Sequence, residues 1–369
     1  MTAHVVRRVP LLYAAGADTG LDRPAYVRAA SGLAWIGDKL AVVQDDASFI
    51  ALVDVVSGMA ASVTLPADAG GTRLFDDERG NKADKHDFES VLSTELPDGT
   101  PVLLAFGSGS TPRREQIAVV RFRDGTAVRL IHTPPLYAAL RSCQAFAGSE
   151  LNIEAAVRTG DTVRLFGRGN GDMSDDVVRV NATCDLQWEA LLRHLDNPST
   201  IAPPLPVNVV QFALGEIGGT RVTFTDAAEL PTATNYSAGT LLYTGTAEAS
   251  EDVVKDGPVA GSVIGIISSK PGGLTARFTE IRDAGGGVLR AKVEGVAVGD
   301  FARGQVFVSV DADDHRRPSE VWEVRLTDSS HEVFEKVSRQ RTAVQGTEFR
   351  RQDGEAGGNF DHQERPHHS

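Results

Sequence analysis

Along most of the chain, apolar residues come in runs of four to seven, rich in Val, Ile, Leu, Phe and Thr and divided by Gly, Asp, Asn and Pro. Runs of that length bounded by turn formers predict β-strands. Examples are 40–43 (L-A-V-V), 102–106 (V-L-L-A-F), 117–122 (I-A-V-V-R-F), 263–267 (V-I-G-I-I) and 305–310 (Q-V-F-V-S-V). Only 135–147 and 186–196 predict short helices.

The strands recur in a fixed order. Five segments share one grammar: an acidic or small polar residue before a small one, a turn, an apolar strand, a polar loop and a second apolar strand. They begin at Ser31, Glu89, Glu154, Asp226 and Glu294, spaced 58 to 72 residues apart. A lone four-stranded sheet cannot bury both its faces and its edges, whereas sheets packed radially cover both. The chain is therefore predicted to be an all-β protein, a β-propeller of five to seven blades, with six the expected number. The sixth blade would come from residues 3–14 and 331–350, so that strands from both chain ends close the ring. Residues 1–344 are expected to form this single domain and 345–369, polar and Gly-rich, a disordered tail. A pair of β-sandwiches explains the strands but not the recurring first-strand motif.

Composition narrows the function. The 369 residues carry a net charge of −13, which argues against nucleic acid as a partner and permits cation binding. No apolar stretch is long enough for a membrane span. Two cysteines in such a chain are no disulfide scaffold. With Arg7, Arg8 and Pro10 interrupting the first apolar residues, no signal peptide is expected there. A cytoplasmic protein acting on a small molecule is the expectation.

In a propeller the first strand of each blade lines the central channel. Glu89, Glu154, Asp226 and Glu294 would then ring one mouth, joined by Ser31, with the polar 2–3 loops around them. Carboxylates gathered on one axis repel one another unless protons, basic side chains or a cation compensate. Hard oxygen ligands suit Ca²⁺ or Mg²⁺. The alternative is that each Glu binds backbone N–H groups and locks the ring. Asp87, two residues before Glu89, shares its strand face. His86 would sit at the rim, as a general base or simply as an exposed histidine. Arg113, Arg114, Arg168 and Asn170 lie in Gly-rich loops suited to an anionic group, although Arg168 could equally pair with a ring Glu.

These first-strand motifs, D-F-E-S at 87–90, N-I-E-A at 152–155 and V-E-G-V at 293–296, resemble those of six-bladed propellers. That group includes gluconolactonases, paraoxonase-like lactonases and calcium-dependent phosphotriesterases, and the grammar is similar to esterase-like phytase propellers. The resemblance implies one axial calcium held by acidic and Asn-type ligands. Here Glu89, Glu154 and Glu294 match the repeated position and Asn152 lies beside it, with Asp226 as a further ligand from the repeat. The expected activity is a calcium-dependent hydrolase of an anionic ester, lactone or phosphate ester. Catalysis would fall to His86, Asp87, Glu89 and Glu154. The alternative is a non-catalytic propeller that binds a peptide or small ligand at the same mouth.

Overall fold

The computed structural model describes residues 1–169, 178–232, 236–249, 257–271 and 273–327. In chain order, β1 (Thr2–Pro10) and β2 (Leu12–Tyr13) precede a meander of β3 (Ala30–Ile36), β4 (Lys39–Gln44), β5 (Phe49–Val53) and β6 (Met59–Thr64). A second meander comprises β7 (Phe88–Glu95), β8 (Pro101–Gly107), β9 (Gln116–Phe122) and β10 (Thr126–His132). Helices α1 (Pro134–Ser142) and α2 (Gln144–Ala147) lead to β11 (Ile153–Thr159), β12 (Thr162–Gly167) and β13 (Asn181–Gln187). Helix α3 (Trp188–Asp196) then precedes β14 (Val207–Phe212), which completes the third meander. The fourth has β15 (Glu216–Ile217), β16 (Thr220–Glu229), β17 (Leu241–Glu248), β18 (Val259–Lys270) and β19 (Gly273–Arg282). The last three strands are β20 (Lys292–Val298), β21 (Gln305–Asp311) and β22 (Glu320–Thr327).

The protein is thus predominantly β, built from five antiparallel meanders. The fourth and fifth are joined through β1 into one nine-stranded sheet, β1 running parallel to β19 with Ala3 opposite Ile281 and His4 opposite Arg282. β1 runs antiparallel to β22 from Thr2 opposite Thr327 to Pro10 opposite Glu320, and so supplies the fourth strand of the fifth unit. The segment expected to begin a sixth unit is therefore the edge of the fifth, with Ala3 and Val5 buried in that unit's core. β2 pairs instead with β6 in parallel. The other half of the expected sixth unit, 331–350, and the expected tail, 345–369, lie outside the described residues.

Second strands carry unbroken apolar runs because both of their faces are covered. Leu40 through Val43 and Val102 through Phe106 are all buried. An apolar layer fills each gap between neighbouring meanders. Val43 and Ile50 meet Phe88 and Leu103, and Leu104 and Phe106 meet Ile153 and Leu165. Phe166 meets Phe224 and Tyr243, Leu242 and Ile264 meet Val306 and Val308, and Phe307 meets Leu40 and Val42. The first strand of each meander also packs against that of the next, and β20 packs against β3. Gly295 permits the last approach: a Cβ there would stand 2.4 Å from the Ser31 carbonyl oxygen.

One distortion positions the site. The β7–β8 register slips between Phe88 and Ser90, β11–β12 between Ile153 and Ala155, and β20–β21 between Val293 and Gly295. The slip leaves Glu89, Glu154 and Glu294 as extra, unpaired residues. A bulge of this kind re-aims a side chain out of the alternating pattern. The β16–β17 slip lies between Phe224 and Asp226, so the equivalent residue there is Thr225, one place before the position the repeat spacing predicts. In β3 the slip falls between Ala30 and Leu33, a stretch that contains Ser31.

Candidate functional site

The bulged residues open onto a cavity of about 270 Å³. Ser31, Glu89, Glu154 and Glu294 all line it. A second tier comes from where the second strands end: Asp45 follows β4, Arg168 follows β12, Glu248 closes β17 and Asp311 closes β21. Among the described residues, eight acidic and five basic side chains line the space, and the apolar side chains there are alanines. At the other end of the first strands the lining turns apolar, with Leu33, Trp35, Leu92, Val157, Ala228 and Val298 around a separate hollow.

Most of the cavity's charges are paired within the chain. Lys85 Nζ lies 2.7 Å from both Asp45 Oδ2 and Asp87 Oδ1. Arg114 Nη1 is 2.8 Å from Asp87 Oδ2, which also accepts the Ser108 hydroxyl. Burial pushes the Asp87 carboxyl up, but Lys85 and Arg114 outweigh it and hold the group below the usual carboxylate range. Asp87 also has a left-handed backbone, with φ of 58°. Arg168 donates to Glu248 Oε2 at 2.7 Å and to the Thr223 hydroxyl at 3.1 Å, and lies 3.4 Å from Glu154 Oε1. Asn152 Nδ2 donates to the same Glu154 oxygen at 2.6 Å. Lys292 Nζ is 3.1 Å from Glu294 Oε1.

Two oxygens stand apart from this network. Glu154 Oε2 and Glu294 Oε2 are buried on the cavity wall and have no hydrogen-bond partner. Burial, opposed by Arg168 and reinforced by Glu294, pushes the Glu154 carboxyl up to about 8. Burial raises Glu294 as well, against the pull of Lys292 and Arg168. Glu89, whose Oε2 accepts the Ser31 hydroxyl at 2.7 Å, is raised well above its ordinary value by burial and by the charges of Asp87, Glu154 and Asp45. Crowding and burial of this kind favour the protonated form of each of these carboxyls.

The structure brings Asp87, Glu89, Asn152, Glu154, Glu294, Arg114 and Arg168 to this cavity and leaves other expected residues elsewhere. Asp226 is buried, and its carboxylate accepts three backbone amides, Leu33, Val296 and Ala227, which makes it a lock between strands. His86 is not at the rim. It packs between Phe75 and Phe88, its Nδ1 is 3.1 Å from Gln116 Nε2, and burial lowers its pKa. Arg113 is exposed and donates to the Asp84 carbonyl. Asn170 lies outside the described residues.

Calcium takes six to eight oxygen ligands. Asp45, Asp87 and Glu89 do offer oxygens within 4.8 Å of one another. The Lys85 ammonium already bridges two of those three, however. Of the expected ligands, Glu154 faces Arg168, Glu294 faces Lys292, Asn152 turns its amide nitrogen to Glu154, and Asp226 is held by amides. The residues present do not fit the expected axial calcium.

Sequence reading missed Lys292 and Glu248 as site residues. Lys292 has a local signal, since it lies two residues before Glu294, as Asp87 and Asn152 do before their glutamates. Among the described residues, no helix is long and apolar enough to cross a membrane.

No curated protein matches the sequence. Among solved structures, the fold is similar to glutaminyl cyclase from Myxococcus xanthus, with a TM-score of 0.43 and 11% identity over 89% of this chain and 98% of that one. It is also similar to a putative glycoside hydrolase from Parabacteroides distasonis, at 0.42 and 11% over 82% and 89% of the two chains. A third is an α-L-arabinanase from Penicillium chrysogenum, at 0.39 and 10% over 88% and 98%. Residues 26–326 match the profile of DUF6929, and the chain belongs to that family of unknown function.

Proposed function

We propose that the five meanders are the blades of a five-bladed propeller and that the polar cavity at its channel mouth is the active site of a hydrolase. The observation that carries this reading is Glu154: a buried carboxyl on the cavity lining, fixed through one oxygen by Asn152 and Arg168, with the other oxygen unpartnered and the carboxyl pushed up to about 8. Such a group holds a proton at neutral pH and is poised to give it up.

Glu89 and Glu154 act as a proton-sharing pair. The ionised member takes a proton from water as its oxygen attacks the acyl or phosphoryl centre, and the protonated member gives one to the departing oxygen. Water is added across the bond and the pair ends with the protons it began with. Asp87, kept ionised and tied to Lys85, Ser108 and Arg114, positions the β7 strand and the two basic groups; it does not exchange protons. No step runs through a metal ion, because basic side chains already hold the positions beside these carboxylates.

The test is a panel of esters, lactones and phosphate esters assayed with the wild type and Glu154→Gln. A general acid contributes about 10²–10⁴-fold, so kcat is expected to fall by that factor in the variant. Unchanged turnover would show that Glu154 does not act in the reaction.

A further inference from the structure

The arginines that sequence reading assigned to an anionic substrate are committed elsewhere. Arg113 points to Asp84, Arg114 to Asp87 and Ser110, and Arg168 to Glu154, Glu248 and Thr223. What the cavity leaves unsatisfied is negative. The Glu294 side chain, which lines the cavity, is 7% exposed; its Oε1 is held by Lys292 and its Oε2 is buried with no hydrogen-bond partner. Asp311 stands opposite Lys292 in the β20–β21 ladder and lines the same cavity, with no side-chain hydrogen bond or ion pair among the described residues. A buried carboxylate oxygen without a donor is costly, and it creates a demand that a ligand can meet.

We infer that the substrate of this site carries a protonated amine, seated between Glu294 Oε2 and the Asp311 carboxylate on the fifth-meander side of the cavity. The inference rests on reading the cavity as a substrate site. Two further features favour it. Acidic groups outnumber basic ones around the cavity, and an adjoining hollow that shares Asp45, Lys85 and Asp311 adds Asp46, Asp76, Asp313 and Asp314. A cleft walled by charge of one sign draws in the opposite charge. The ligand's charge is also limited. Lys292 and Arg168 both act on Glu294, so a compact divalent ion there would face two resident cations. A monovalent ammonium, which aims one N–H at each oxygen, meets less repulsion and matches the way Lys292 already binds Glu294 Oε1.

The experiment is calorimetric titration of the full chain with three matched probes: β-alaninamide, which bears an ammonium, propionamide, which lacks it, and succinamate, which bears a carboxylate. β-Alaninamide is expected to bind about tenfold or more tighter than propionamide, the difference set by a hydrogen bond to a charged group, and succinamate more weakly than either. Asp311→Asn and Glu294→Gln, each shown to be folded by its thermal transition, are expected to abolish the difference. Equal affinities, preference for succinamate, displacement of β-alaninamide by Ca²⁺, or no binding of any probe would overturn the inference. Binding is read without turnover, so ammonium preference in a protein that hydrolyses nothing would leave this inference standing and remove the hydrolase. Glu154-dependent hydrolysis without that preference would do the reverse.

Discussion

The Asp226 carboxylate accepts the Val296 amide at 2.8 Å, a bond from the first strand of the fourth meander to that of the fifth. The same oxygen accepts Leu33 of the first meander at 3.1 Å. One side chain therefore ties three of the five first strands together. Asp226→Ala removes the carboxylate acceptor of three buried amides, Leu33, Val296 and Ala227, at about 1–3 kcal/mol each. A loss of about 3 kcal/mol is expected, read as a lower urea midpoint at unchanged slope. Asp226→Asn, which keeps one oxygen, is expected to lose less.

Arg168 is buried against Glu154 and Glu248. Removing one partner of a buried pair costs about 3–5 kcal/mol, because the remaining charge is stranded. Arg168→Met is expected to fall in that range by urea unfolding. Adding Glu154→Gln and Glu248→Gln to it is expected to recover part of the loss, and a double-mutant cycle measures the coupling. Additive losses would show that the three side chains do not act as a unit.

Stability should fall as pH rises. The Glu154 carboxyl titrates near 8 in the fold against an ordinary 4.5, so between those values the folded chain binds more protons than the unfolded one. The stability it contributes is complete below about 4.5 and is lost as pH rises through about 8. Glu89 and Glu294, also raised, push in the same direction. Asp87, held low, acts oppositely but only at acid pH. Glu154→Gln is expected to flatten the urea-midpoint profile across that window. A profile superimposable on the wild type would place the Glu154 proton elsewhere.

Calcium should leave the thermal transition of the wild type unmoved, because Lys85 bridges Asp45 and Asp87. Lys85→Met removes that ammonium and leaves Asp45, Asp87 and Glu89 with oxygens within 4.8 Å of one another. The variant is expected to be less stable without calcium and to gain about 2.7 kcal/mol at calcium one hundred times its Kd. A calcium shift in the wild type would show that the ion displaces Lys85.

Gly295→Ala tests the packing of β20 on β3. Its Cβ would meet the Ser31 carbonyl oxygen and the Ser309 hydroxyl, each at 2.4 Å. Overpacking of this kind costs about 1–3 kcal/mol, and a loss in that range is expected by thermal unfolding.

The repeating strand grammar was legible because the second strands are buried on both faces and so read as unbroken apolar runs. Glu89, Glu154 and Glu294 were legible for the same reason, since each opens a repeat. The helices at 135–147 and 186–196 also appear, as α1 with α2 and as α3. Asp226 was misread because repeat spacing counts residues, whereas the bulge decides which of two neighbours faces the cavity. In β16 the bulge falls at residue 225, and residue 226 turns to the amides. His86 was misplaced because its charged neighbours suggested solvent, while Phe75, distant in sequence, covers its ring. The charges that neutralise the site were hidden for a similar reason: Lys292 and Glu248 meet their partners only once separate meanders come together.

The pairing of β1 with β22 fixes an order of assembly. β1 is synthesised long before its antiparallel partner Glu320–Thr327, so Val5 and Val9 stay uncovered until β22 has followed, while Ala3 and His4 can pair earlier against β19. From the moment β22 has formed until β1 docks on it, that edge is open to the same strand of another molecule, which makes an exchanged dimer the characteristic error of this chain at high expression.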